Sequence, residues 1–326
     1  MKKFICVFLS VLMLLATFTL VACKKEAETL KFGLGVYTNV SKASDADGDK
    51  AGEGNAAITA AAITVDAEGK VVACQLDTAD NTVKYTSEGK AVAGDFKTKY
   101  ELGKDYNMVA YGGATKEWYE QADAFEGVVV GKTVDEIKAM VAEGNKGTED
   151  VVNAGCTIMV NEFVGAIEKA FANLAESEAT AETTLKIAMY TEQTTKDATE
   201  DANGHNQIET TVFAAAMDAD DKVVVAASDC VQVKFTFDAK GASKYDLTKA
   251  VSSKREMGAN YNMVAYGGAA KEWFEQADAF NGLCVGKTVD EIVAFCGADN
   301  YGTDEVKNAG CTILVNGFTK AAAKLG

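Results

Sequence analysis

The stretch YNMVAYGGATKEWYEQADAFEGVVVGKTVDEIKA at 106–139 returns as YNMVAYGGAAKEWFEQADAFNGLCVGKTVDEIVA at 261–294, with 28 of 34 positions identical. The offset of 155 also carries NAGCT at 153–157 onto NAGCT at 308–312. Upstream, LKFGLGVYT at 30–38 aligns with LKIAMYTEQ at 185–193, and DAEGKVV at 66–72 with DADDKVV at 218–224. A repeat of roughly 145 residues is far longer than a solenoid unit and has the size of a domain. The chain therefore reads as two tandem domains, 30–175 and 185–326, with the polar stretch 176–184 as linker.

Working outward, each repeat mixes strand and helix patterns. AAITAAAITVD, KVVACQLD and TVKYT read as short antiparallel strands, the first two joined by a turn at AEG. KEWYEQADAF places Trp118, Ala122 and Phe125 on one helical stripe. GVVVGK reads as a short strand, and TVDEIKAMV as a helix whose Thr133 and Glu136 have capping-box spacing. Beyond NAGCT, Val160, Phe163, Val164, Ile167, Phe171 and Leu174 fall at helical spacing, which puts Thr157 in a loop or at a helix start. The expected class is α/β in the α+β sense: a small, largely antiparallel sheet with packed helices in each repeat.

The first 22 residues have the form of a secretory signal: a basic start, an apolar run, then Leu20-Val21-Ala22 before Cys23. A cysteine at that point resembles a bacterial lipobox, which implies cleavage before Cys23, lipid on its thiol and a short tether over 23–29. Localisation at the extracytoplasmic face of the membrane follows. The formal net charge is −16, and loss of Lys2 and Lys3 takes it to −18. Such a chain repels phosphate backbones and anionic headgroups, so nucleic acid is excluded as a partner and membrane attachment falls to the lipid.

Six cysteines remain after Cys6 and Cys23 are set aside, and none forms C-x-x-C. Zinc ribbons, thioredoxin-type pairs and iron–sulfur runs lack support, and the single histidine, His205, removes triad and imidazole-metal chemistry. No metal site is expected. Gly127 to Thr133 approaches a phosphate-binding loop, but three β-branched residues between the glycines favour a strand. DADGD at 45–49 resembles a calcium loop with its glycine one place too early, and reads as a solvated turn. Trp118 and Trp273 read as core anchors, whereas Tyr106, Tyr111, Tyr261 and Tyr266 are candidates to face a cofactor. No carboxylate pair stands out as acid and base.

NAGCT remains. Cys156 and Cys311 have no corresponding partner thiols in the two repeats, so a buried, inert thiol is the default. Thr157 and Thr312 follow small residues where a helix is expected to begin. A hydroxyl there can cap the helix or hold a phosphate.

NAGCT followed by an amphipathic helix, with KEWYEQADAF and VVGKT upstream, resembles the FMN-binding domain family, in particular double-domain flavinylated lipoproteins of Gram-positive extracellular electron transfer. The likeness covers nearly all of both repeats. It implies covalent FMN on each domain, joined by a phosphoester to Thr157 and to Thr312 and installed by a separate flavin transferase. Gly155 and Gly310 match the motif glycine; Ala154 and Ala309 stand where serine is common, and Cys156 and Cys311 where alanine is common. The function so implied is an electron-transfer carrier rather than a stand-alone enzyme. It would take electrons from a membrane donor and pass them to extracellular acceptors such as ferric iron, whose cationic charge suits an acidic shell. The alternatives are an FMN-carrying subunit of a dedicated small-molecule reductase, or a binding lipoprotein without flavin whose threonines only cap helices.

Overall fold

A computed structural model describes residues 28–326. The signal segment, Cys23 and most of the tether lie outside the described residues. Among these residues no helix is long and apolar enough to cross a membrane.

The chain is α+β with two antiparallel sheets. The first sheet is built on β1 (Lys31–Ser44), β2 (Gly52–Val65) and β3 (Val71–Tyr85), with two-residue edge strands β4 (Ala91–Val92) and β5 (Ala175–Glu176) in the order β4-β3-β2-β1-β5. The second has β6 (Thr184–Lys196), β7 (Gly204–Met217) and β8 (Val223–Phe237) in that order. After each set of long strands comes the same series of helices. In the first half these are α1 (Lys99–Leu102), α2 (Trp118–Val129), α3 (Val134–Lys138), α4 (Glu149–Ala154) and α5 (Asn161–Ala172). In the second they are α6 (Lys254–Met257), α7 (Trp273–Cys284), α8 (Val289–Val293), α9 (Asp304–Ala309) and α10 (Asn316–Ala322).

The alanine-rich runs explain the layering. Side chains alternate between the faces of a strand, and a strand covered on both faces reads as a continuous apolar run. In β2, Ala61, Ile63 and Val65 pack under α2 and α5 with Phe125, Phe163 and Ile167. The alternate residues Ala56, Ile58, Ala60 and Ala62 meet Ile208, Val212 and Ala214 of β7 and Val231, Val233 and Phe235 of β8. β7 repeats the arrangement, with Phe213, Ala215 and Met217 under its own helices. The two sheets thus pack face to face, and each carries its helices on the outside.

The halves are related by an approximate two-fold axis. Ala46 N–H donates to the Gly241 carbonyl and Ala198 N–H to the Gly89 carbonyl, both at 2.8 Å. Lys169 pairs with Glu256 at 2.6 Å, and its counterpart Lys324 pairs with Glu101 at 2.7 Å. Tyr85 and Phe237, which hold corresponding places at the ends of β3 and β8, stack with ring centroids 4.3 Å apart. Contacts that exchange in this way are isologous.

Four expectations change. KVVACQLD and TVKYT are one strand, β3, because the polar residues between them find partners within and across the sheets. The Thr59 and Thr78 hydroxyls lie 2.9 Å apart, and Asn81 Nδ2 donates to Thr210 Oγ1 at 3.0 Å. GVVVGK is no strand: α2 continues to Val129, since burying Val129 on the stripe of Trp118, Ala122 and Phe125 outweighs the β preference of valine. The β1 and β6 alignment shifts by two residues. Tyr37 faces Thr59 as Tyr190 faces Thr211, so Phe32 rather than Leu30 corresponds to Leu185. Finally, the 176–184 stretch begins as an edge strand on β1, and Leu30 N–H donates to the Ala179 carbonyl at 2.7 Å.

Phe235 of the second half seals the contact between sheets: a Cβ on Gly54 of the first half would lie 2.4 Å from its ring. Phe235→Ala is expected to lower the unfolding free energy by about 3–5 kcal/mol. Because the core is shared, Trp118 and Trp273 should report the same denaturation midpoint in single-tryptophan variants, before and after the change. Separate midpoints would show that the halves unfold independently.

Candidate functional site

Thr157 lies in the loop between α4 and α5, four residues before α5 begins. It is not a helix cap: Val160 occupies that position and makes no side-chain cap bond. The Thr157 hydroxyl instead donates to Gln121 Oε1 at 2.9 Å, and the Thr157 backbone N–H donates to the same oxygen at 2.9 Å. Gln121 Nε2 donates to the Lys116 carbonyl at 3.0 Å, so turning the amide over would set N–H against the Thr157 N–H and oxygen against the Lys116 carbonyl, losing both of those bonds. The second half reproduces this around Thr312, Gln276 and Lys271. There the hydroxyl and N–H bonds are 2.9 and 2.8 Å and the amide bond 3.0 Å. Both glutamines are buried, and both threonines are exposed.

Gly155 ends α4 in the left-handed region at φ 112°, and Gly310 ends α9 at 106°. That conformation favours glycine, and there is a second constraint. A Cβ on Gly155 would sit 2.2 Å from Lys116 Nζ, and one on Gly310 2.4 Å from Lys271 Nζ. Each lysine head therefore lies over its glycine, two residues from the threonine. Neither lysine belongs to an ion pair among the described residues.

Cys156 and Cys311 point inward and have no exposure. Burial pushes each thiol up to about 11, against the smaller opposing effects of a backbone N–H and the neighbouring lysine. A thiol that stays protonated is a poor nucleophile, so these cysteines are packing.

Ile158 and Met159, which follow Thr157 in the chain, border a cleft of about 360 Å³. Its floor is the part of the sheet that the helices leave uncovered: Asn39, Asn55, Ala57, Thr78 and Asp80. Its walls include Tyr106, Met108, Trp118, Ile158 and Phe163, with Lys99 at 5.1 Å from the Tyr106 ring centroid and 5.6 Å from that of Trp118. Of the four candidate tyrosines, Tyr106 lines this cleft and Tyr261 stacks on the corresponding Lys254. Tyr111 and Tyr266 do neither; they project into solvent at 87% and 88% exposure on loops held by Glu117 and Glu272.

The sequence reading passed over Gln121 and Gln276. Their signal was present, as an amide beside Trp118 and Ala122 on an otherwise apolar stripe in both repeats. It also passed over two buried carboxylates. Asp77 is raised to about 7 and Glu126 to about 8, each chiefly by burial. Asp77 takes the Thr78 N–H at 2.7 Å, and Glu126 the Leu76 N–H at 2.7 Å. Among the described residues no group of three or more His, Cys, Asp or Glu side chains is placed to hold a metal ion.

Comparison of the chain with protein-family models, curated proteins and solved structures finds no match.

Two outcomes are expected. A maleimide added to the native protein should label Cys296, the one partly exposed thiol among the described residues, well before Cys156 or Cys311; equal labelling by mass spectrometry would contradict the packing role. Stability should fall as pH rises from about 5 to 8. Unfolded carboxylates lose their protons near pH 4, whereas folded Asp77 and Glu126 hold theirs to about 7 and 8. Within that window the folded state binds more protons, so raising pH favours unfolding. Glu126→Gln should flatten the urea midpoint against pH, because Asn281 already places an amide at this position in the second half. An unchanged slope would exclude Glu126 as a source.

Proposed function

We propose that the protein is a lipid-tethered, extracytoplasmic electron carrier with two tandem FMN-binding-type domains and FMN joined by phosphoester to Thr157 and Thr312. The observation that carries this reading is the threonine–glutamine–lysine group, present twice with nearly the same distances. The residues fit the group. An exposed hydroxyl is available for esterification, and a lysine ammonium without an ion-pair partner among the described residues lies over the glycine two residues away, placed for the phosphate charge. The aromatic-walled cleft bordered by Ile158 and Met159, with its polar floor, suits a planar heteroaromatic ring. Bound FMN would supply the redox chemistry.

The chain's own part is positional. Gln121 and Gln276 fix the threonine hydroxyls at the surface, where a modifying flavin transferase has access. Attachment would replace the hydroxyl proton of Thr157 or Thr312 with the FMN phosphoryl group of FAD, with AMP as the leaving group. Among the described residues each hydroxyl's hydrogen-bond partner is an amide oxygen rather than a base, and under this reading the transferase supplies the base. A covalent link also keeps a secreted carrier from losing its cofactor by dilution. The reading extends to a membrane donor and an extracellular acceptor such as ferric iron. The reductase-subunit alternative uses the same site with a dedicated partner. A binding lipoprotein without flavin is the other alternative, though its threonines would not be helix caps, since Val160 and Val315 hold those positions.

Co-expression with a flavin transferase should add two FMN masses to the intact chain and leave fluorescence that survives denaturation. Thr157→Ala and Thr312→Ala should each remove one, and the double variant both. Flavin persisting in the double variant would refute the assignment, and no addition to the wild type would refute the function.

A further inference from the structure

The cleft floor and the matching face of the second half differ at all five positions, Asn39/Glu192, Asn55/Gln207, Ala57/Glu209, Thr78/Cys230 and Asp80/Gln232, and the exchange of a methyl group for a carboxylate falls at 57/209. Ala57 of β2 corresponds to Glu209 of β7, since the pairings Ala57–Asp80 and Glu209–Gln232 hold the same place in the two sheets. The small Ala57 leaves the floor of the first cleft open. Lys99 there has one carboxylate nearby, Asp80, at 3.8 Å, which is too far for a hydrogen bond. In the second half the Glu209 carboxylate stands over the floor. Its Oε1 accepts from Lys254 Nζ at 2.7 Å and from Cys230 Sγ at 3.4 Å, and its Oε2 from Gln232 Nε2 at 3.3 Å.

Lys99 and Lys254 are otherwise alike. Lys254 lies 5.3 Å from the Tyr261 ring centroid and 5.6 Å from that of Trp273, matching the cation–aromatic stack of the first half. The difference lies in what the ammonium faces. Lys99 pairs only loosely with Asp80, across 3.8 Å, and keeps its N–H donors for an electron-rich ring edge in the cleft, whereas Lys254 is buried and hydrogen-bonded to Glu209 at 2.7 Å. To enter the second cleft, a ring would have to break that ion pair and leave a buried lysine without its counter-charge, a costly exchange. The other acids do not reverse the contrast. Glu162 in the first half is engaged by Asn39 at 2.7 Å, and Glu192 in the second by Asn316 at 3.0 Å.

We propose that position 57/209 makes the two sites unequal: the first cleft takes in a planar heteroaromatic ring of the flavin class beside Lys99, while Glu209 excludes the ring from the second and keeps it at the surface. This rests on the flavin reading for its ligand class, but the inequality can be measured without covalent attachment.

The unmodified full chain is titrated with riboflavin while tryptophan emission is followed. Trp273→Phe leaves Trp118 as reporter of the first cleft, and Trp118→Phe leaves Trp273 for the second. Saturable quenching of Trp118 is expected, with none at Trp273 beyond collisional loss. Ala57→Glu and the uncharged Ala57→Gln, either of which suffices if the other fails to fold, should abolish the first signal. Glu209→Ala should create the second. Equal saturable quenching at both reporters, none at Trp118, or persistence of the Trp118 signal in the folded position-57 variants would overturn the proposal.

A second arm uses chain flavinylated at one threonine at a time. Iodide should quench flavin emission several-fold more steeply in Thr157→Ala, where only Thr312 is loaded, than in Thr312→Ala. Equal quenching overturns the inequality. Absence of flavin from both by mass overturns the covalent reading, while the riboflavin titration still decides the inequality.

Discussion

The contact between the two sheets governs everything else in this protein. Ala56, Ala60, Ala62 and Ala214 are small enough to let the sheets close on each other, and Ile58, Val212, Val231 and Phe235 fill the layer between them. Magnitudes identify this layer, rather than charge, as the dominant force. A fully buried Phe or Ile side chain contributes about 1.5–3 kcal/mol, whereas a partly exposed ion pair contributes about 0–1 kcal/mol. The exchanged pairs Lys169–Glu256 and Lys324–Glu101, each partly exposed, therefore orient the halves more than they hold them together. Once the inner faces are committed to each other, the helices can cover only the outer faces, and both threonine loops are carried outward.

The site arises from a mismatch of lengths. The central strands run 14 and 15 residues, while α2 and α5 have 12 each and lie over one end of the sheet. Along β2 the helix-facing side changes from Ala61, Ile63 and Val65 beneath helices to Asn55 and Ala57 in the open. The cleft is that uncovered end. Gln121 is buried on the core side of α2, where an amide must be satisfied or it costs stability. Its oxygen accepts both donors of Thr157 in the loop between α4 and α5, and its nitrogen donates to the Lys116 carbonyl. The hydrogen bonds that satisfy the glutamine thus also set the direction of the threonine hydroxyl.

Features whose cause is local could be read from the sequence. The Trp118–Phe125 stripe, the Thr133 capping box and the placing of Thr157 in a loop or at a helix start all depend on neighbours a few residues away. Features whose cause is distant could not. Asp80-Asn81 looks like a turn until Thr210, 129 residues further on, accepts from Asn81. Val128-Val129 looks like strand until the stripe beneath α2 is known. Thr157 looked like a cap because the helix was expected to start beside it, and the start falls four residues later. The buried Asp77 and Glu126 were lost among many carboxylates, since burial is a property of the packed sheets and not of any short window.

Comparison of the halves separates what the fold needs from what each site does. Threonine, glutamine, lysine and the left-handed glycine recur together, and the six differences in the 34-residue block leave all of them untouched. The divergence falls instead on the cleft floor and the ground beneath the helices, at Ala57 against Glu209, Glu162 against Gly317 and Glu126 against Asn281. Packing alone does not require this division, because Glu126 accepts from the Leu76 N–H and Asn281 from the Ser228 hydroxyl, so either residue finds a partner there. Under the flavin reading the division has a use. Two carriers with identical surroundings would have equal potentials and give electrons no preferred direction. Shared attachment with different floors would set them apart on one rigid chain. The anchor is then the part held constant, and the ring's surroundings are the part free to vary.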